Sequence, residues 1–321
     1  MNTFIPPFDF QQVFLAPWTD NFVNFRWIVL MGFLVTAACG LVGQFLILRR
    51  MALLGDAISH SILPGLALGF ILANSRGTLV MFLGALAAGV VTTVLIETIH
   101  KRSRVKQDAA IGIVFSSLFA LGVILISLYA DKVDLDQECV LYGEIAFVGL
   151  EPPVAWAGLT LPPAPVLRMG MVALATVTLI TVFYKELLVS SFDPGLAVSL
   201  GINAAIVHYS LMSMLSVVVV SAFESVGAIL VVAMLILPGA TASLLSHRLP
   251  AILSLSVAHA ALSSVLGVHL AIWLDCSMAG GMVVMGTVLF GLAWVLSPGQ
   301  GLLQRWRRSR RVEPDPANSP A

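Results

Sequence analysis

Along nearly the whole of this 321-residue sequence, apolar runs of about twenty residues follow one another with short polar breaks between them. That length is what an α-helix needs to cross a hydrocarbon core of about 30 Å. No water is available there, so the backbone of each crossing must pair within its own helix. The runs fall at about 27–48, 56–73, 78–98, 109–130, 168–184, 206–222, 226–245, 251–274 and 279–296. They make nine helices, or eight if the pair parted only by "AFES" forms one long broken helix. Charged residues are 11% of the chain, against about 25% in soluble domains. The expected fold is therefore all-α: a polytopic integral membrane helical bundle of eight to nine transmembrane helices.

Lysine and arginine remain on the cytoplasmic side of a membrane. With the N-terminus outside, Arg49, Arg50, Lys101, Arg102, Arg104, Lys106, Lys185, Arg248 and the arginines of "RWRRSRR" all fall inside, 13 of 17 basic residues. Arg26, Arg76, Lys132 and Arg168 fall outside. The expected arrangement is multi-pass in a bacterial cytoplasmic (inner) membrane, N-terminus out and C-terminus in. Residues 1–25 read as an extracytoplasmic or interfacial segment with no cleavable signal, and 26–298 as the membrane domain. Residues 299–321 read as a basic tail, partly disordered, against the anionic inner leaflet. An acidic outer loop runs from Asp131 to Arg168, and its proline-rich half, "EPPVAWAGLTLPPAPV", reads as an irregular or re-entrant lid.

Ionisable groups at bilayer depth are costly and mark pathways. Asp56 and His60 stand four residues apart in an apolar run, so both project from one helix face. Carboxylate oxygen with imidazole nitrogen suits a borderline divalent ion, but two ligands are too few for an all-protein site. A second copy of the chain about a two-fold axis would supply two more. Pro64 breaks the helix nearby and frees a backbone carbonyl. The alternative is a Ser59/His60/Asp56 hydrogen-bond cluster that merely joins two helices. Arg49 and Arg50, shortly before Asp56, put the pair toward the cytoplasmic third. Glu224 reads either as an acid at the outer interface or, if its helix continues, as one facing a pore. His259 and His269 turn to different faces of one helix; either suits a buried hydrogen-bonded role, and Glu224 and His259 are kept as lesser metal candidates. The three cysteines are far apart, with no CxxC. No lysine follows a glycine, so there is no G-K-[ST] phosphate loop, and hydrolase motifs are absent too. The chain is expected not to be an enzyme, and its energy comes from an ion gradient or a separate subunit.

Five stretches together resemble the membrane permeases of ABC-type manganese/zinc/iron importers, the ABC-3 group. They are "LRRMALLGDAISHSILPGLALG", "KQDAAIGIVFSSLFALGVILIS", "DLDQECVLYGEI", "YKELLVSSFDPGLAVSLGI" and "SVGAILVVAMLILPGATASLL". The resemblance implies a type II ABC importer-like fold. It implies that Asp56 and His60 are metal ligands in the permeation path. It also implies that 185–203 is a coupling loop, with Phe192, Asp193, Pro194, Ala197, Leu200 and Gly201 docking on the ATPase. Its implied partners are a second permease chain, identical or paralogous, a cytoplasmic ABC ATPase dimer that binds the ATP, and an extracytoplasmic metal-binding protein. Lipid surrounds it, no nucleic acid is expected, and no cofactor is stably bound; manganese, zinc or iron is cargo.

Two other readings remain open at this point. One is an ABC permease for a chelate such as haem or a siderophore, which needs no intramembrane ligands. The other is a stand-alone ion-coupled carrier built from repeats with paired broken helices, for which only "ILPG" at 62–65 and 236–239 recurs.

Overall fold

The computed structural model describes residues 6–73, 78–128, 145–156, 159–297 and 301. Its first half carries α1 (Phe22–Leu48), α2 (Leu54–Ser61), α3 (Leu63–Ala73), α4 (Thr78–Arg102) and α5 (Gln107–Leu128). A hairpin of β1 (Pro153–Trp156) and β2 (Leu159–Pro163) follows, then α6 (Ala164–Val182), α7 (Tyr184–Phe192) and α8 (Pro194–Ser199). The last part is α9 (Ala204–Val226), α10 (Ala228–Leu245), α11 (Leu249–Leu274) and α12 (Met278–Leu296). Among the described residues, eight stretches are long and apolar enough to cross a membrane, with α2 and α3 counting as one; Leu230–Leu245 of α10 is a shorter apolar helix.

The "AFES" region is a reversal, not one long broken helix. Gly227 joins α9 to α10 with φ 82°, a conformation that only glycine adopts freely. His208, near the start of α9, lies beside Arg49 at the C-terminal end of α1. At the other end of α10, Ser243 meets Gln44 of α1, and Leu244 accepts from Ser297 at the C-terminal end of α12. The start of α9 and the end of α10 thus share the Arg49 end of the bundle. The two helices run in opposite directions, and α10 returns toward the Arg49 end alongside the eight longer apolar stretches among the described residues.

α1 is the central helix, buried along most of its length and packed by α10, α11, α6 and α9. Lipid is as apolar as leucine, so helices associate by close contact rather than by hydrophobic expulsion. Glycines provide that contact. Gly43 lies on the backbone of Leu235, Gly40 on Pro238, Gly267 on Met282, and Gly65 of α3 on the backbone of Gly84 in α4. Hydroxyls inside the spans donate back to the preceding turn, as Thr93 does to Gly89 (3.1 Å) and Ser216 to Met212 (3.1 Å).

Three sequence expectations change. The proline-rich stretch is an antiparallel hairpin rather than an irregular lid. Its prolines Pro153 and Pro163 pair at the open end, where a missing N–H removes little from the ladder. The two "ILPG" motifs are not equivalent: Pro64 sits just after the break between α2 and α3, whereas Pro238 lies inside unbroken α10. The helices therefore carry no paired break. The third change concerns the depth of Asp56 and His60, taken up below. Residues 131–144 and 302–321, which hold most of the acidic loop and the basic tail, lie outside the described residues.

A Cβ on Gly65 would drive into the Gly84 carbonyl, which belongs to backbone and cannot swing aside. Gly65→Val is expected to destabilise the chain by about 1–3 kcal/mol through overpacking. A lowered melting temperature in detergent checks this, with Gly112→Val, where a Cβ meets nothing, as the control.

Candidate functional site

α2 has eight residues, and its charges suit its ends. Asp56 lies in the first turn and His60 in the last, the signs that the helix dipole favours. The helix stops at Ser61 because Pro64 has no N–H to give the carbonyl of His60, its partner four residues back. Gly122 of α5 fits against Leu63 and Pro64 and lets the break pack closely. Along α2 every residue except Asp56 and His60 is buried. The Asp56 side chain is 45% accessible and that of His60 25%, so one small polar face is left open.

His60 Nε2 stands 3.6 Å from Asp56 Oδ1, beyond hydrogen-bond range. Ser59 Oγ donates to the Gly55 carbonyl (2.9 Å) and takes no part. The interhelical hydrogen-bond cluster is therefore not formed. What touches His60 across the bundle is aromatic: Phe115 at 5.4 Å and Phe119 at 6.0 Å between ring centroids, both on α5. Among the described residues, no third histidine, cysteine or carboxylate joins the pair.

Along the helices of the bundle the pair lies at mid-height. Phe115 and Phe119 straddle the middle of α5. Ile58, between the two ligand candidates, packs on Gly89 and near Ser216, each halfway along its helix. Counting from the arginines misleads because α1 stops short: Arg49 is itself drawn inward beside His208, one turn into α9.

Other polar candidates are placed elsewhere. His259 is 4% exposed and packs on Gly286 of α12, next to Leu237 of α10. Leu235, on a different face of α10, packs on Gly55 beside Asp56, so α10 stands between His259 and the pair. Glu224 lies in the last turn of α9, at the reversal opposite the Arg49 end. His269 is structural: its Nδ1 pairs with the Val265 carbonyl (2.6 Å), and its Nε2 accepts from Trp18 Nε1 (3.1 Å). It thereby ties the N-terminal segment to α11.

The segment 185–203 forms α7 and α8 at the basic end. Asp193 caps α8 by accepting from Leu196 N (3.0 Å). Gly201, at φ 78°, closes it with bonds from Gly201 N to Val198 O (3.0 Å) and from Ile202 N to Ala197 O (2.9 Å). Ala197 is buried, while Phe192, Val198 and Leu200 are each more than 60% exposed. Two well-closed short helices thus hold an apolar knob outward.

Sequence reasoning overlooked one cluster next to this segment. Arg49 donates to Ser191 Oγ (3.1 Å) and Ser190 Oγ (3.0 Å) of α7, and its Nη1 lies 3.2 Å from His208 Nδ1. His208 Nε2 is 3.3 Å from Glu97 Oε2, off the hydrogen-bond line, and Glu97 Oε1 is 2.6 Å from Lys101 Nζ. Burial lowers the pKa of Arg49, but a guanidinium remains charged. The i, i+4 spacing of Glu97 and Lys101 was the available signal; the basic residues look like simple inner anchors in sequence.

The ABC 3 transport family model matches residues 21–297. The chain belongs to that family. The manganese transport system membrane protein MntD of Bacillus subtilis is 44% identical over 291 residues, covering 91% of this chain and 98% of its own. The zinc transport system membrane protein TroD of Treponema pallidum is 42% identical, covering 90% and 78%. PsaBC of Streptococcus pneumoniae, solved with a Fab, superposes with a TM-score of 0.74 at 35% identity, covering 91% of this chain and 98% of that one. This ABC-3 member is a multi-pass membrane permease of a manganese/zinc ABC import system, with the type II importer permease fold. ATP is hydrolysed on a separate subunit.

If the cap and the closure shape the outward knob, Asp193→Ala and Gly201→Ala should each loosen α8 by about 1 kcal/mol. Amide hydrogen exchange is expected to speed up across 194–202 and stay unchanged in α1.

Proposed function

We propose that Asp56 and His60 are this chain's half of a divalent-metal site, completed by the same pair on a second permease chain. The observation that carries the reading is the exposure pattern of α2: a helix buried everywhere except at a carboxylate and an imidazole, at mid-height. A two-fold axis beside that face would bring two oxygens and two nitrogens together. Such a donor set suits manganese, zinc or ferrous ions, and the similarity to manganese and zinc permeases favours the first two. The aromatic wall of Phe115 and Phe119 keeps bulk water from one side of the imidazole.

The chain lies with its N-terminus outside and its Arg49 end in the cytoplasm, as its basic residues favour. There the α7–α8 knob, with Phe192, Asp193, Pro194, Ala197, Leu200 and Gly201, docks on the ATPase dimer. Metal arrives from an extracytoplasmic binding protein, and ATP-driven closure of the ATPases turns the site inward. A haem or siderophore permease needs no ligand pair, and a stand-alone carrier needs paired broken helices, so neither fits as well.

Asp56→Ala and His60→Ala are each expected to abolish metal uptake by the reconstituted complex while the ATPase still copurifies. Normal uptake by either would sink the ligand assignment. Phe192→Asp with Leu200→Asp should instead release the ATPase, as read by copurification. Uptake of labelled manganese in competition with zinc and iron measures the preference.

A further inference from the structure

We propose that Arg49, His208 and Glu97 are positioning residues, a linkage that carries movement of the coupling helices to the metal-bearing helix. The proposal rests on the reading of α7–α8 and of α2 just given.

Three segments meet at the Arg49 guanidinium, and a fourth, α4, stands behind His208. Arg49 itself is the cap that ends α1, five residues before α2 begins. Two of its nitrogens grip Ser190 and Ser191 on α7, at 3.0 and 3.1 Å. The third reaches His208 Nδ1 on α9 at 3.2 Å. Guanidinium only donates, so His208 Nδ1 accepts and the imidazole proton sits on Nε2, facing Glu97 of α4 at 3.3 Å. Glu97 is 7% exposed and is held from its other oxygen by Lys101. The cluster lines a polar cavity of about 380 Å³ together with Pro194 of the coupling segment.

The junction after Arg49 is made to bend. α1 closes with Arg50 N on Ile47 O (3.1 Å) and Met51 N on Leu46 O (2.8 Å). That closure normally uses glycine at the left-handed position, yet Arg50 occupies it at φ 59°. A strained residue in such a place marks a segment with a second accessible conformation. α1 is locked in the core on one side of this junction, and α2, with Asp56 and His60, hangs on the other. While the serine bonds hold, a shift of α7 pulls Arg49, and a shift of Arg49 turns the junction that carries α2. His208 meets the guanidinium from the α9 side and stands against Glu97 of α4, which gives the pull a fixed point. Serine hydroxyls are neutral and readily replaced by water, so the grip on α7 can release and re-form; the charged half of the linkage stays in place.

The experiment uses the complete complex, permease with its ATPase and binding protein, in proteoliposomes, with manganese uptake and ATP hydrolysis measured side by side. Glu97→Gln and the double variant Ser190→Ala/Ser191→Ala are the two tests. Each is expected to keep copurification and hydrolysis within about twofold while metal moved per ATP falls about tenfold, the size of a typical coupling between sites. Arg49→Lys, which retains charge but loses the fork, is expected to fall between. An unchanged ratio of metal to ATP in both test variants overturns the proposal. So does a parallel loss of uptake, hydrolysis and copurification in both, which is what a static staple would give. Normal uptake by His60→Ala in the same vesicles would overturn the metal-site reading instead, so the two failures are told apart.

Discussion

A peptide group in lipid has no water to turn to, and every unusual feature of this bundle sits where that demand is met some other way. Most crossings meet it by running as unbroken helices. The α2–α3 crossing does not, because Pro64 leaves the His60 carbonyl without its helical donor. Such a break is tolerable only inside protein, and here α4, α5 and α10 surround it. Glycines make the enclosure possible: Gly65 against Gly84, Gly122 against Pro64, and Gly55 against Leu235. The same small residues that let the helices approach also fix where the break lies, and with it the height of Asp56 and His60.

Asp56 and His60 stand apart from other charged groups on the open face of α2. Taking a carboxylate to bilayer depth costs about 2.5–3.5 kcal/mol on insertion scales, and among the described residues no third histidine, cysteine or carboxylate joins Asp56 and His60. The helix dipole and partial access to solvent reduce that cost without removing it. Glu97 shows the contrast. It lies deeper within the protein, but His208 and Lys101 answer its charge from two sides. A charge that is answered serves the architecture; one left open at mid-height is available to cargo.

How much could be read in advance depended on whether a feature was local. The i, i+4 step from Asp56 to His60 is a property of a few successive residues, and it puts both side chains on the open face of α2. Apolar length marked the helices, and the glycine at 227 settles the one ambiguous boundary as a reversal. Counting along the chain from Arg49 gives no height for the pair, because the arginine stands beside His208, 159 positions away. The "ILPG" pair likewise has no common structural meaning. Identical tetrapeptides break one helix and leave another intact, since Gly40 of α1 packs directly on Pro238 and holds α10 in line.

By itself, then, the sequence determined that this chain crosses a membrane many times as helices, which end carries the positive charge, and which residues could ligate a divalent ion. Those follow from apolar length, charge distribution and donor chemistry, all additive along the chain. Only the tertiary structure decided that Asp56 and His60 form the one open face of a buried helix, that His259 stands apart from them, and that Arg49, shortly before that helix, bonds Ser190 and Ser191 of α7. Each of these depends on which distant side chains close in from other helices, and no local property of the chain records that.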